Sequence, residues 1–140
     1  MKMNNSGSLK LYGKNIIIVE DDFPSIKYYK TLLHSSGATI TCFDNGRDFL
    51  EYLDNNGKID IVIMDYLIPL INGIDCIKKL RKKRKNVPAF LFTAYSSEQT
   101  KREAFLAGCD EYILKPIYPE RIFMLLEKYL ALEKPASMTF

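Results

Sequence analysis

Glu20, Asp21, Asp22, Asp65, Thr93 and Lys115 are the residues of this chain whose types could do chemistry together. Carboxylates packed closely raise one another's pKa unless a cation neutralises them. Hard oxygen donors with room for waters suit Mg²⁺. Lys115 adds a point cation and Thr93 a hydroxyl. Acids, a divalent metal, a lysine and a threonine in one place suit the movement of a phosphoryl group, whose oxygens the metal and the lysine would neutralise. Asp65 is the candidate nucleophile, because carboxylates can form aspartyl-phosphates. Any one of these groups could simply solvate the end of a strand. All of them at one sheet edge is the pattern of a site.

The elements that must bring them together are legible as alternating patterns. Asn15–Val19, Thr39–Phe43, Ile59–Met64, Pro88–Phe92 and Tyr112–Leu114 are short apolar runs suited to strands, several of them rich enough in β-branched residues to be buried on both faces. Between them, apolar residues recur at helical spacing: Ile26, Tyr29, Leu32 and Leu33; then Phe49, Leu50 and Leu53; then Ile74, Ile77 and Leu80. A fourth helix is expected over Ser97–Leu106, and a last one carries Ile122, Leu125, Leu126 and Tyr129. Pro24 suits a helix start, and Gly37, Gly57 and Gly108 act as stops. Five βα units imply an α/β domain, doubly wound around a parallel sheet with right-handed crossovers. In such a sheet ligands bind at the carboxyl ends of the strands. That is where Glu20-Asp21-Asp22, Asp65, Thr93-Ala94 and Lys115-Pro116 fall.

Composition sets the outer bounds. The chain is 47% hydrophobic and 26% charged, as an ordinary globular domain is. The formal charge is +3, but the run Lys78–Lys85 holds seven of the 20 cations, and without it 13 cations face 17 acids. The basic character is therefore a local stripe on the third helix, whose C-terminal end favours cations. It reads as a solvated face rather than a nucleic-acid site, since no aromatic residue interleaves within it. No apolar run approaches the ~20 residues of a membrane span. The first residues, Met1–Tyr12, lack the apolar core of a signal peptide. Cys42, Cys76 and Cys109 are scattered, without a metal-binding spacing, and read as buried reduced thiols of a cytoplasmic protein. Residues 1–13 read as a tail or linker, 14–131 as the domain and 132–140 as a second tail.

Ile16-Ile-Ile-Val-Glu-Asp-Asp22, Ile61-Val-Ile-Met-Asp65, Pro69, Gly73, Phe92-Thr-Ala94 and Tyr112-Ile-Leu-Lys-Pro116, in this order and spacing, resemble the receiver domain of two-component response regulators. The resemblance covers roughly residues 14–131. It implies a flavodoxin-like (βα)5 fold with strand order 2-1-3-4-5. It implies Asp65 as phosphoacceptor and Asp21 as a direct Mg²⁺ ligand, with Glu20 completing the acidic pocket and the main-chain carbonyl of Leu67 as a further ligand. Lys115, Thr93 and Ala94 would contact the phosphoryl oxygens, and Thr93 and Tyr112 would form the switch that carries the event to the surface. Lys115-Pro116 resembles the family's cis peptide. The donor would be a histidine kinase or a histidine phosphotransfer protein. Ala107-Gly-Cys-Asp-Glu-Tyr112 and the leader Leu11-Tyr-Gly-Lys14 resemble receivers attached to hybrid sensor kinases. Family members often pair through their fourth-to-fifth unit face, which makes a homodimer an expectation. A receiver alone is not a conventional enzyme, though it promotes its own phosphorylation and dephosphorylation.

Other readings compete for the same residues. His34, the only histidine, invites a phosphohistidine role, but the resemblance places that histidine on the partner. A Mg²⁺-dependent phosphoryl-transfer or nuclease-like enzyme would need a second acid where Asp65-Tyr-Leu67 ends in leucine. A flavin-binding protein of this topology would need a Ser/Thr/Gly-rich first loop to cradle a phosphate, and Glu20-Asp21-Asp22 would repel one. Tyr66, Leu67 and Tyr95 add bulk around the expected pocket, with an expected effect on water access and phosphoryl lifetime.

Overall fold

The computed structural model describes residues 9–130. Of the expected tails, 1–13 and 132–140, residues 1–8 and 132–140 lie outside the described residues, as does residue 131 of the expected domain. Five strands, β1 (Asn15–Val19), β2 (Thr39–Phe43), β3 (Ile61–Asp65), β4 (Ala89–Thr93) and β5 (Glu111–Leu114), alternate with five helices. The helices are α1 (Phe23–Leu32), α2 (Gly46–Asp54), α3 (Gly73–Lys83), α4 (Glu98–Ala107) and α5 (Pro119–Tyr129). The strands form one parallel sheet in the order β2-β1-β3-β4-β5. The expected doubly wound (βα)5 architecture and strand order are therefore those of the molecule.

The strand runs explain the layering. β1, β3 and β4 occupy the centre and are buried along almost their whole length, which their unbroken apolar sequences allow. Alternate residues feed two cores. Ile17, Val19, Val62, Met64 and Leu91 pack with α2, α3 and α4. Ile16, Ile18, Ile63, Phe90 and Phe92 pack with α1 and α5. Leu9 and Leu11 are buried in the second core, ahead of the expected domain start at residue 14.

Local chemistry sets the element ends. Asp22, Asn45, Asn72 and Ser97 each accept the backbone N–H three residues on and so cap α1 to α4. Pro119 starts α5 in place of a side-chain cap. Gly108 ends α4 at φ 112, a left-handed conformation that glycine adopts freely. β3 starts at Ile61 rather than Ile59, because the Asp60 carboxylate takes the Asn15 N–H at 2.6 Å. His34 lies beyond the end of α1 and is exposed. Cys76 and Cys109 are the expected buried free thiols, and burial pushes each up to about 12; Cys42, on the edge strand β2, is free but only half-buried, contrary to expectation. Among the described residues no helix is long and apolar enough to cross a membrane.

Candidate functional site: an acidic cluster at the carboxyl edge of the sheet

β1 and β3 are neighbours in register, with Val19 opposite Met64. The residues that follow, Glu20 and Asp21, therefore arrive beside Asp65, the last residue of β3. Ligand oxygens of Glu20, Asp21 and Asp65 lie within 4.8 Å of one another. β4 and β5 pair Thr93 with Leu114, which delivers Lys115 to the same edge. The Lys115 N–H donates to the Thr93 carbonyl at 2.8 Å, and its Nζ donates to Glu20 Oε1 at 2.7 Å. Lys115 Nζ stands 3.7 Å from Asp65 Oδ1. The Lys115–Pro116 peptide is cis.

Electrostatics follow from this packing. Asp65 is pushed up to about 6, chiefly by burial and next by the Glu20 carboxylate, with Lys115 acting against both. Glu20 is almost fully buried and is held by Lys115 and by the Asp22 N–H at 3.1 Å. Asp22 itself turns away: its carboxylate accepts from Ser25 Oγ at 2.6 Å and from the Ser25 N–H at 3.1 Å. The structure thus makes it a helix cap and not a member of the cluster. The three carboxylates that remain face a single lysine.

That donor set fits a hard dication. Ligands of Mg²⁺ at ~2.1 Å stand about 3–4 Å apart across the ion. A 4.8 Å spread of oxygens closes onto an ion by small side-chain rotation or through one water. Leu67 is exposed in the loop after β3, and its carbonyl accepts no backbone hydrogen bond among the described residues.

Gly73 lets α3 begin beside the cluster. A Cβ there would meet the Asp65 carbonyl oxygen at 2.3 Å and Met64 Cγ at 2.9 Å, and the Gly73 N–H donates to the Tyr66 carbonyl at 2.9 Å. The β4–α4 loop flanks the cluster on the other side. Thr93 is buried, and its Oγ1 accepts from the Tyr95 N–H at 3.0 Å; Ala94 is exposed. Tyr112 is half-buried, and its hydroxyl reaches the same loop, at 3.1 Å from Ser96 Oγ and 3.4 Å from the Tyr95 carbonyl.

The sequence reading missed three features here. Ser96 meets the Tyr112 hydroxyl, and nothing in the local sequence marks it. Tyr66 and Tyr95 stack with ring centroids 6.2 Å apart, a pairing between two loops that no spacing reveals. A groove of about 710 Å³ borders Lys115, lined also by Pro24, Tyr28, Ile117, Tyr118 and Pro119. No local pattern in the sequence marks this groove, whose walls come from α1 and from the β5–α5 connection.

A parallel sheet in this order, with three carboxylates and a lysine at its carboxyl edge, defines a class of CheY-like α/β domains. The family model for the response regulator receiver domain matches residues 16–127, and the chain belongs to that family. The response regulator SaeR of Staphylococcus aureus is 26% identical over 116 residues, which are 83% of this chain and 50% of SaeR. The chain spans about half the length of the curated relatives it matches. A CheY-like receiver domain protein from Methanospirillum hungatei superposes with a TM-score of 0.78 at 24% identity, covering 82% of this chain and 91% of that one. The non-phosphorylated HemR receiver domain from Leptospira biflexa does so with a TM-score of 0.75 at 27% identity, covering 87% and 98%. The chain is a receiver domain of the two-component kind, and the nuclease-like alternative is not favoured.

Proposed function

We propose that Asp65 accepts a phosphoryl group from a phosphohistidine of a histidine kinase or a histidine phosphotransfer protein in the cytoplasm. The observation that carries this is the convergence of Glu20, Asp21, Asp65 and Lys115 on one edge of the sheet. An Asp65 oxygen attacks phosphorus, the P–N bond breaks, and the electron pair returns to the departing imidazole. Glu20, Asp21, Asp65 and the Leu67 carbonyl would hold Mg²⁺, which supplies charge neutralisation for the transferring group. Lys115 leaves Glu20 for a phosphoryl oxygen, and Thr93 and the Ala94 N–H take another. Thr93 is tied to the Tyr95 N–H, and Tyr112 to Ser96, so movement of Thr93 shifts the β4–α4 loop and the tyrosine together. The groove beside Lys115 supports donor docking there. Exposed Leu114 and Met124, on β5 and α5, support pairing with a second copy. The parent chain would be a hybrid histidine kinase.

Incubation with Mg²⁺ and acetyl phosphate, followed by intact mass measurement, tests the reading. The expected product carries one phosphoryl group, is labile to hydroxylamine, requires Mg²⁺ and is absent in Asp65→Asn. No adduct from acetyl phosphate or phosphoramidate, or one that persists in Asp65→Asn, overturns it.

A further inference from the structure

Five of the seven cations of the basic run fall into two groups by their contacts, while Lys83 pairs with Asp54 at 3.0 Å. Arg81 and Arg84 face the protein. Arg81 donates to the Gly108 and Val87 carbonyls at 2.9 and 2.6 Å and pairs with Asp110 at 2.8 Å, while Arg84 donates to the Gly57 carbonyl at 2.9 Å. Lys78, Lys79 and Lys82 are exposed and line a groove of about 610 Å³ between α3 and α4. Among the described residues Lys79 and Lys82 make no ion pair, and Lys78 pairs only with Asp75, at 3.8 Å. Half-buried Ile71 and buried Ala107 form the apolar floor. Leu106 on α4 closes the far side and is 81% exposed.

We infer that this groove docks an acidic amphipathic helix of a partner protein. The charge and the shape both point to that occupant. Lys79 and Lys82 sit three residues apart on α3, so their side chains emerge about 5–6 Å from each other. Two carboxylates one turn apart on a partner helix have the same spacing and meet both lysines. An apolar residue a further turn along the same face of that helix fills the space over Ile71 and covers Leu106, the helix-in-groove mode of recognition. A leucine this exposed, beside unpaired lysines, is a surface with both an apolar anchor and a charged rim. A polynucleotide fits less well. Among the described residues no aromatic side chain lines the groove to stack a base. The proposal does not rest on phosphoryl transfer at Asp65.

The test uses a stapled 14-residue helical peptide with leucines four positions apart flanked by glutamates, labelled for fluorescence anisotropy. Titration with the full chain in 0.1 M salt is expected to show saturable binding, weakened about tenfold by Lys79→Glu with Lys82→Glu. Leu106→Ser is expected to weaken it by a similar factor, and Lys27→Glu on α1 to leave it unchanged. All are surface substitutions, and the melting temperature checks that each variant folds. Amide NMR shifts are expected to cluster on α3 and α4. No binding, binding insensitive to these variants, or equal binding to a leucine-free acidic peptide or a single-stranded oligonucleotide overturns the proposal.

Discussion

Lys115 Nζ sits 2.7 Å from Glu20 Oε1, and this contact spans the sheet edge from β1 to β5. It is the closest cation–carboxylate pair among the described residues, and both side chains are largely shielded from water. Removing the lysine strands a buried carboxylate next to Asp65. Lys115→Met is expected to cost about 2–3 kcal/mol at pH 7.5, a figure reduced for the partial exposure of the lysine. In a Glu20→Gln background the same change should cost much less. Urea unfolding of the four proteins measures the coupling, and simple additivity would count against the pair.

Asp65 gives the stability a pH dependence of defined sign. Its carboxyl titrates near 3.8 when unfolded and is pushed up to about 6 in the fold. Between those values the folded state holds more protons, so this group makes stability fall as pH rises. The penalty is complete above pH 6 and absent below the unfolded value. In EDTA, Asp65→Asn is therefore expected to stabilise the protein by roughly 2–3 kcal/mol at pH 8 and by almost nothing at pH 4. Chemical denaturation at both pH values decides it; a gain independent of pH contradicts the assignment.

A dication should remove the same penalty. Mg²⁺ at a hundred times its Kd is expected to stabilise the wild type by about 2.7 kcal/mol at pH 8. The gain should disappear in Asp21→Asn and in Asp65→Asn. Thermal melts in Mg²⁺ and in EDTA measure it, and an undiminished gain in either variant places the ion elsewhere.

Gly73 is a steric requirement of the site. A methyl there meets the backbone oxygen of Asp65, which cannot rotate away as a side chain could. Gly73→Ala is expected to cost about 2–3 kcal/mol and to slow adduct formation with acetyl phosphate. An alanine variant as stable and as reactive as wild type would show that α3 has room to move.

Arg81 and Lys82 are adjacent in sequence and opposite in consequence. Arg81→Ala takes the guanidinium donor from the Val87 and Gly108 carbonyls and the cation from Asp110, which keeps only the Ala89 N–H, at an expected cost of about 2–3 kcal/mol. Lys82→Ala should change stability by less than about 0.5 kcal/mol. Parallel urea titrations settle the contrast.

The βα alternation, the two-sided burial of β1, β3 and β4, and the identity of the acids and the lysine at strand ends are all legible in the sequence. Those follow from periodicity and from residue type, which are local. The remaining features depend on which elements meet in the fold. Pro24 marks a helix start and makes Asp22 a capping candidate, yet only the pairing of β1 with β3 brings Asp21 into the cluster while α1 takes Asp22 as its cap. The seven cations of Lys78–Lys85 look alike in sequence, yet α3 and its C-cap turn Arg81 and Arg84 inward and three of the lysines toward α4. The stacking of Tyr66 on Tyr95 and the reach of Tyr112 on β5 to Ser96 join segments that are far apart along the chain. A sequence records which groups are available, and strand order and helix rotation, which are non-local, select the ones that touch.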